Sequence, residues 1–176
     1  MRGMSDARWK PSVTVAAVVE HGGRYLLVEE HTPEGLRLNQ PAGHLEEGES
    51  LLEAACRECL EETACEMTPQ ALLGVYLARL HRPAMGGRPA ETISHLRFAY
   101  IGSVGAPLPG RALDSGIVRT LWLTPDEIRA SVERHRSPLV LKCVDDHLAG
   151  RRLPLDAVNA DLVPFIPGTD SAPPPV

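Results

Sequence analysis

The segment GHLEEGESLLEAACRECLEETACE, residues 43–66, carries eight glutamates in twenty-four positions, most of them where a helix is expected. At about 100° per residue, with Glu58 set at zero, Glu61 falls at about 300° and Glu62 at about 40°. Three carboxylates therefore share one edge. Leu52, Ala55, Cys56, Cys59 and Leu60 occupy a separate apolar arc, so such a helix has to lie against a sheet and leave its acidic edge along a groove. Ser50 and the acidic residues at 46, 47 and 49 suit a helix N-terminus, where unpaired amides favour negative charge. The pattern predicts a helix from near Glu49 to about Glu62.

The sheet is supplied by β-rich runs on either side. VTVAAVV (13–19) has the β-branched composition of a central strand, and HGG (21–23) punctuates it before RYLLVEE (24–30), a plausible hairpin partner. A short segment LRLNQPAG follows and is stopped by Pro41. Further strands are predicted at 71–81, 92–102 and 117–123, with loops at 83–90 and 103–116. TPDE (124–127) opens a helix, with Thr124 as cap, Pro125 in the first helical position and Glu127 at N3. SPLVLKCVDDHLAG (137–150) is a third helix ending near Gly150. Strands alternating with three helices make a mixed α/β domain. Residues 1–10 read as a flexible start, 11–160 as the domain, and 161–176, ending SAPPPV, as a tail disordered at its end.

Like charges three or four residues apart destabilise a helix by a few tenths of a kcal/mol per pair, so a merely solvated face is a poor explanation of the acidic edge. A hard divalent cation explains it better. Mg²⁺ takes oxygen ligands and brings substrate phosphates with it. Gly43 has no Cβ, so its backbone can approach a metal or a phosphate closely, with its carbonyl as a further oxygen ligand. The formal net charge of −5 gives no reason to expect a nucleic-acid polymer as partner. Cys56 and Cys59 have CxxC spacing inside a helix with no second pair, and together with Cys65 and Cys143 they read as buried or half-buried thiols and not as a zinc site. No stretch is apolar enough to span a membrane and no secretory signal is evident, so a cytoplasmic protein is expected.

GHLEEGESLLEAACRECLEETAC resembles the Nudix box, G-x5-E-x7-R-E-U-x-E-E-x-G-U with U a bulky apolar residue. Gly43, Glu49, Arg57, Glu58, Glu61 and Glu62 match, and Cys59 and Cys65 stand at the apolar places. Ala64 departs from the pattern, standing where the family has a helix-closing glycine. If that backbone is left-handed, alanine there costs on the order of 1 kcal/mol. VTVAAVV, YLLVEE, NQPAGHLE, HLRFAY and SPLV extend the likeness, in order over about residues 11–155, to a subgroup of the family, the NudJ-type phosphatases.

The resemblance implies a Nudix fold, an α/β/α sandwich with a mixed central sheet and a loop-helix-loop catalytic motif. It implies metal-dependent hydrolysis of a phosphoanhydride bond in nucleoside tri- and diphosphates and in hydroxymethylpyrimidine or thiamine pyrophosphate, releasing phosphate. Mg²⁺ is the implied cofactor, with Mn²⁺ as a substitute. Glu61 and Glu62 resemble the main metal ligands, with the Gly43 carbonyl assisting. Glu58 resembles the remaining ligand and a general base, while Arg57 orients the catalytic carboxylates and Glu49 is scaffolding. Two other readings share these residues: a pyrophosphatase for another X-linked nucleoside diphosphate (ADP-ribose, a nucleotide sugar or an oxidised dNTP), and a catalytically weak nucleotide-binding or regulatory protein. Outside the box, Asn39, Gln40, His44 and Arg97 are candidate substrate contacts. His95 shares a strand face with Arg97 by period two, Glu30 and Arg37 are weaker candidates, and Tyr25 or Tyr76 could stack on a base. The expected partner is a small phosphorylated molecule, bound by a monomer or a homodimer.

Overall fold

The computed structural model describes residues 9–160 and 162. Most of the flexible start and nearly all of the tail expected from the sequence lie outside the described residues. Among the described residues seven strands form one mixed sheet: β1 (Ser12–His21), β2 (Arg24–Thr32), β3 (Gly35–Asn39), β4 (Ala42–His44), β5 (Met67–Arg82), β6 (Glu91–Val104) and β7 (Ile117–Leu123). Their order is β3-β2-β1-β6-β5, with β4 pairing β1 and β7 pairing β2. β1 runs parallel to β6, and the other pairings are antiparallel.

β1 is the central strand that VTVAAVV predicts, and its alternation sorts the two layers. Val15, Ala17 and Val19 pack with Ala54, Ala55 and Cys59 of α1 (Leu51–Thr63). Ala16 and Val18 face the opposite way. They meet Ile128 of α2 (Pro125–Ala130) and Leu139, Val140, Cys143 and Val144 of α3 (Leu139–Leu148). Helices cover both sides of the sheet, the α/β/α arrangement expected from the sequence.

Local chemistry sets the element ends. β1 and β2 close on a two-residue turn in which Gly22 and Gly23 both have positive φ, so the hairpin is tight. β5 begins at Met67, four residues earlier than the sequence suggests, because two register shifts, at Pro69/Ala71 and Leu72/Gly74, let the chain pair through a proline that argues against a strand. α1 starts one to two residues later than predicted. Ser50 is its cap, in a reciprocal box with Glu53. The TPDE start of α2 is a box of the same kind between Thr124 and Glu127. All four cysteines are free thiols, three of them buried.

α1 ends on Ala64 at φ 59°, ψ 15°, the one non-glycine residue with positive φ among the described residues. The left-handed geometry that the missing glycine would supply is thus retained, with alanine bearing the strain. Loop 105–116 accepts this end: Leu108 N–H donates to the Ala64 carbonyl at 2.8 Å and Asp114 N–H to that of Glu61 at 2.9 Å. Ala64→Gly should therefore raise the unfolding free energy by about 1 kcal/mol, or roughly 2–4 °C in midpoint for a domain of this size. Calorimetry showing a lower midpoint would contradict the strain.

Candidate active site

Arg57 sits in the second turn of α1, where its guanidinium can reach the loop before the helix and the acidic edge of the helix itself. Its five N–H groups meet five acceptors. Nε and Nη2 grip both oxygens of Glu49 at 2.9 and 2.7 Å, and Nη2 also reaches the His44 carbonyl at 3.0 Å. Nη1 donates to Glu58 at 2.9 Å and to Glu61 at 3.1 Å. The guanidinium bond holds the Glu49 carboxyl below its usual range, and Glu49 in turn accepts the Glu46 N–H at 2.8 Å. The fork geometry suits arginine and no other cation.

Glu58 and Glu62 are buried at 8% exposure, against the short strand β4. A Cβ added to Gly43 would fall inside the Glu58 carboxylate, so glycine is what lets that carboxylate keep its place. Ala42 N–H donates to Glu62 at 2.9 Å. Burial pushes the Glu62 carboxyl up to about 8, opposed by the Ala42 bond and reinforced by Glu58, Glu30 and Asp114. Burial also raises Glu58, with Arg57 pulling it back. Asp114, from loop 105–116, is an acidic neighbour with no periodic pattern around it to mark it.

The donor set suits a hard divalent cation. Glu58 and Glu61 each use one oxygen on Arg57 and Glu62 one on Ala42 N–H, so three carboxylate oxygens on one helix edge have no partner among the described residues. The register leaves room for the Gly43 carbonyl as well. Val15–Gly43 is a ladder pair flanked by Leu45 N–H to Val13 O and Ala17 N–H to Pro41 O, which occupies one lone pair of that carbonyl and leaves the other. Among the described residues no three acidic, histidine or cysteine groups converge as ion ligands, because Arg57 draws Glu58 and Glu61 to itself.

Beyond the Ala42–Gly43 rim lies a cleft of about 230 Å³, between the sheet and the start of α3. Thr14 pairs with His44 on one side and Arg97 on the other, which aligns the three across β4, β1 and β6. Thr14, His44, Arg97, His95, Asn39 and Glu30 all line the cleft, and the rings of His44 and His95 stand 6.2 Å apart. Arg79, Arg82 and Arg136 join them, giving four arginines against one glutamate. Sequence reading missed these three. Arg79 stands inside the predicted strand 71–81 and Arg82 just past it, with no spacing to single them out, and Arg136 precedes α3 with no pattern of its own.

Other candidates are drawn elsewhere. Gln40 is fully buried and does not line the cleft; its amide donates to Val140 O at 2.8 Å and fastens α3. The stacking roles suggested for Tyr25 and Tyr76 are overturned. Both are core residues whose hydroxyls bond His147 at 2.7 Å and Asp146 at 2.9 Å. Arg37 lies in a neighbouring groove, outside the cleft.

Comparison with known proteins identifies this arrangement. The profile described as NUDIX domain matches residues 8–143. The chain belongs to the Nudix family. Phosphatase NudJ of Escherichia coli strain K12 is 37% identical over 160 residues, 91% of this chain and 98% of that protein. A solved NUDIX hydrolase from Nitrosomonas europaea is 48% identical with a TM-score of 0.77, covering 87% of this chain and 99% of its own. A MutT NUDIX hydrolase from Burkholderia pseudomallei, 20% identical with a TM-score of 0.53, shares the fold. This Nudix chain is a hydrolase acting on phosphoanhydrides of small phosphorylated molecules, in a family that generally uses divalent metal ions. No helix among the described residues is long and apolar enough to cross a membrane.

The Glu62 environment has a measurable consequence. Its folded pKa of about 8 lies above the unfolded carboxyl value near 4.5, so it costs nothing below pH 4.5 and most above pH 8. In chelator, Glu62→Gln should match wild type in midpoint near pH 4.5 and exceed it by a margin that grows up to pH 8. A margin independent of pH would show that Glu62 ionises like an exposed carboxylate.

Proposed function

We propose that this Nudix hydrolase uses Mg²⁺, with Mn²⁺ as a substitute, to release phosphate from nucleoside tri- and diphosphates and from pyrimidine pyrophosphates such as hydroxymethylpyrimidine or thiamine pyrophosphate. The observation that carries the reading is the adjacency of two opposite fields. A carboxylate edge ordered by Arg57 lies behind the Ala42–Gly43 rim, and a cleft with four arginines opens on its other side. The likeness to Phosphatase NudJ over most of both chains supports the choice of substrates.

Glu58, Glu61, Glu62 and the Gly43 carbonyl would hold the ion. When bound, it supplies Lewis-acid polarisation of phosphoryl oxygens and lowers the pKa of a bound water. The chain's own residues do the rest. Arg57 fixes Glu58 and Glu61 in orientation without touching substrate. Glu58, through its free oxygen, is placed to take a proton from the attacking water. His44, Arg79, Arg82 and Arg136 meet phosphate oxygens; burial lowers the His95 pKa, with Arg97 adding to the effect, so its imidazole stays neutral and can accept or donate. Asn39 is a substrate contact in the same cleft.

Phosphate release should be measured over nucleoside tri- and diphosphates, the two pyrimidine pyrophosphates and ADP-ribose, with Mg²⁺ and with chelator. Metal-dependent release of one phosphate at a time is expected. Pyrophosphate release, or a preference for ADP-ribose, would move the assignment to another Nudix pyrophosphatase, and inactivity on all of them would favour a binding protein. Glu61→Gln should lower kcat by about 100-fold or more while shifting the midpoint by no more than about 3 °C, since the half-exposed pair with Arg57 is worth little. A change in kcat below about threefold would remove Glu61 from the ligand set.

A further inference from the structure

Six buried side-chain polar atoms have no hydrogen-bond partner within the protein among the described residues, and five of them belong to the cleft: Thr14 Oγ1, Glu30 Oε1, Asn39 Oδ1, and Nε and Nη1 of Arg97. Unpaired buried polar atoms are rare in folded proteins, and five on one floor are a cost that folding alone does not explain. Arg97 is the extreme case. It is 8% exposed and keeps two N–H groups with nothing to donate to. Its opposite charge on the floor, Glu30, leaves Oε1 equally unpaired; among the described residues the closest cation to that oxygen is Arg136 Nε at 3.8 Å, beyond hydrogen-bond length.

The chemistry of these atoms restricts what completes them. Thr14 and Asn39 can each serve as donor or acceptor. Arg97 can only donate, and a Glu30 carboxylate can only accept. A ligand that satisfies both must present an acceptor and a donor side by side. A phosphate offers acceptors alone and would set its oxygens against Glu30. The edge of a nitrogen heterocycle offers both. Size adds a second restriction, since about 230 Å³ lies below the ~300–1,000 Å³ typical of ligand sites and favours a small head group.

We propose that Glu30 and Arg97 read the head group of the substrate, selecting a single-ring nitrogen heterocycle whose edge carries a donor beside an acceptor. The inference rests on the cleft being the substrate seat of the hydrolase described above, and it names residues that set selectivity there. Glu30 and Arg97 take no part in breaking the phosphoanhydride.

Calorimetric titration of the full chain in Mg²⁺ buffer tests this with three non-hydrolysable probes: cytidine 5′-monophosphate, guanosine 5′-monophosphate and ribose 5-phosphate. Cytidine monophosphate should bind at least about tenfold tighter than ribose phosphate, the worth of one or two hydrogen bonds to charged groups. It should also bind tighter than the two-ring nucleotide. Arg97→Met and Glu30→Gln should each bring cytidine monophosphate and ribose phosphate together in affinity. Arg97→Met should at the same time raise the thermal midpoint, because it replaces an unpaired buried charge by an apolar chain of similar length. A purely structural arginine would give the opposite sign.

Equal binding of ribose phosphate and cytidine monophosphate by the wild type would overturn the proposal, as would tighter binding of guanosine monophosphate. So would a lower midpoint in Arg97→Met with the affinity ratio intact. Loss of hydrolysis in Glu30→Gln on cytidine triphosphate and inorganic triphosphate alike would assign Glu30 to the chemistry and also overturn it. Selective binding by a wild type that hydrolyses nothing would support the reader while removing the hydrolytic reading, so the two fail separately.

Discussion

A single guanidinium makes the acidic edge of α1 possible. Glu49, Glu58 and Glu61 all lie within reach of Arg57, whose five donors are divided among them and the His44 carbonyl. Without it, the first half of the edge would be a set of unscreened like charges next to a buried Glu62. With it, the carboxylates are fixed in direction while each of Glu58 and Glu61 keeps one oxygen free. The same side chain ties three separate pieces together: the end of β4, the loop that carries Glu49, and the helix. A lysine could neutralise charge at this place but could not fork to so many acceptors. The Nudix pattern needs arginine here for geometry as much as for charge.

β4 is only three residues long, yet the site depends on it. It is held from one side by the ladder to β1 and from the other by Glu62, which accepts the Ala42 N–H. Glycine at 43 lets the Glu58 carboxylate lie directly on the strand. The acidic edge and the cleft are thereby brought to the two sides of one thin backbone segment. Any side chain at 43 would displace the Glu58 carboxylate from the strand.

Much of this was legible from the sequence because it is local. Caps, the helical edge and the position of Ala64 follow from spacing within a dozen residues, and the central strand from its β-branched run. The acid–arginine spacing also marks the candidate site. What escaped is long-range. Gln40, Tyr25 and Tyr76 looked like free polar groups, but Val140, His147 and Asp146 of α3 complete them from 70 to 122 residues away. Arg79, Arg82 and Arg136 are ordinary surface residues until β5 and the start of α3 are folded against the same end of the sheet. Arg97 and His95 were found because strand alternation is itself local; which wall of which cavity they face was not.

The net charge of −5 is therefore a poor guide to what this chain attracts. Potential depends on where charges converge, and clefts with low-dielectric walls focus it. Here four arginines and Glu30 converge on one side of Ala42–Gly43, and Glu58, Glu61 and Glu62 with Arg57 on the other, so an excess of each sign is kept apart by backbone. A polyphosphate is drawn towards the arginines and repelled by the carboxylates, so its reacting end cannot settle over the edge on the protein's charges alone. A divalent cation changes the sign of the field on the glutamate side and makes both sides of the rim attractive to the same anion. In the proposed function, the separation of the two fields by a two-residue rim gives a cation a role in docking as well as in the hydrolytic step.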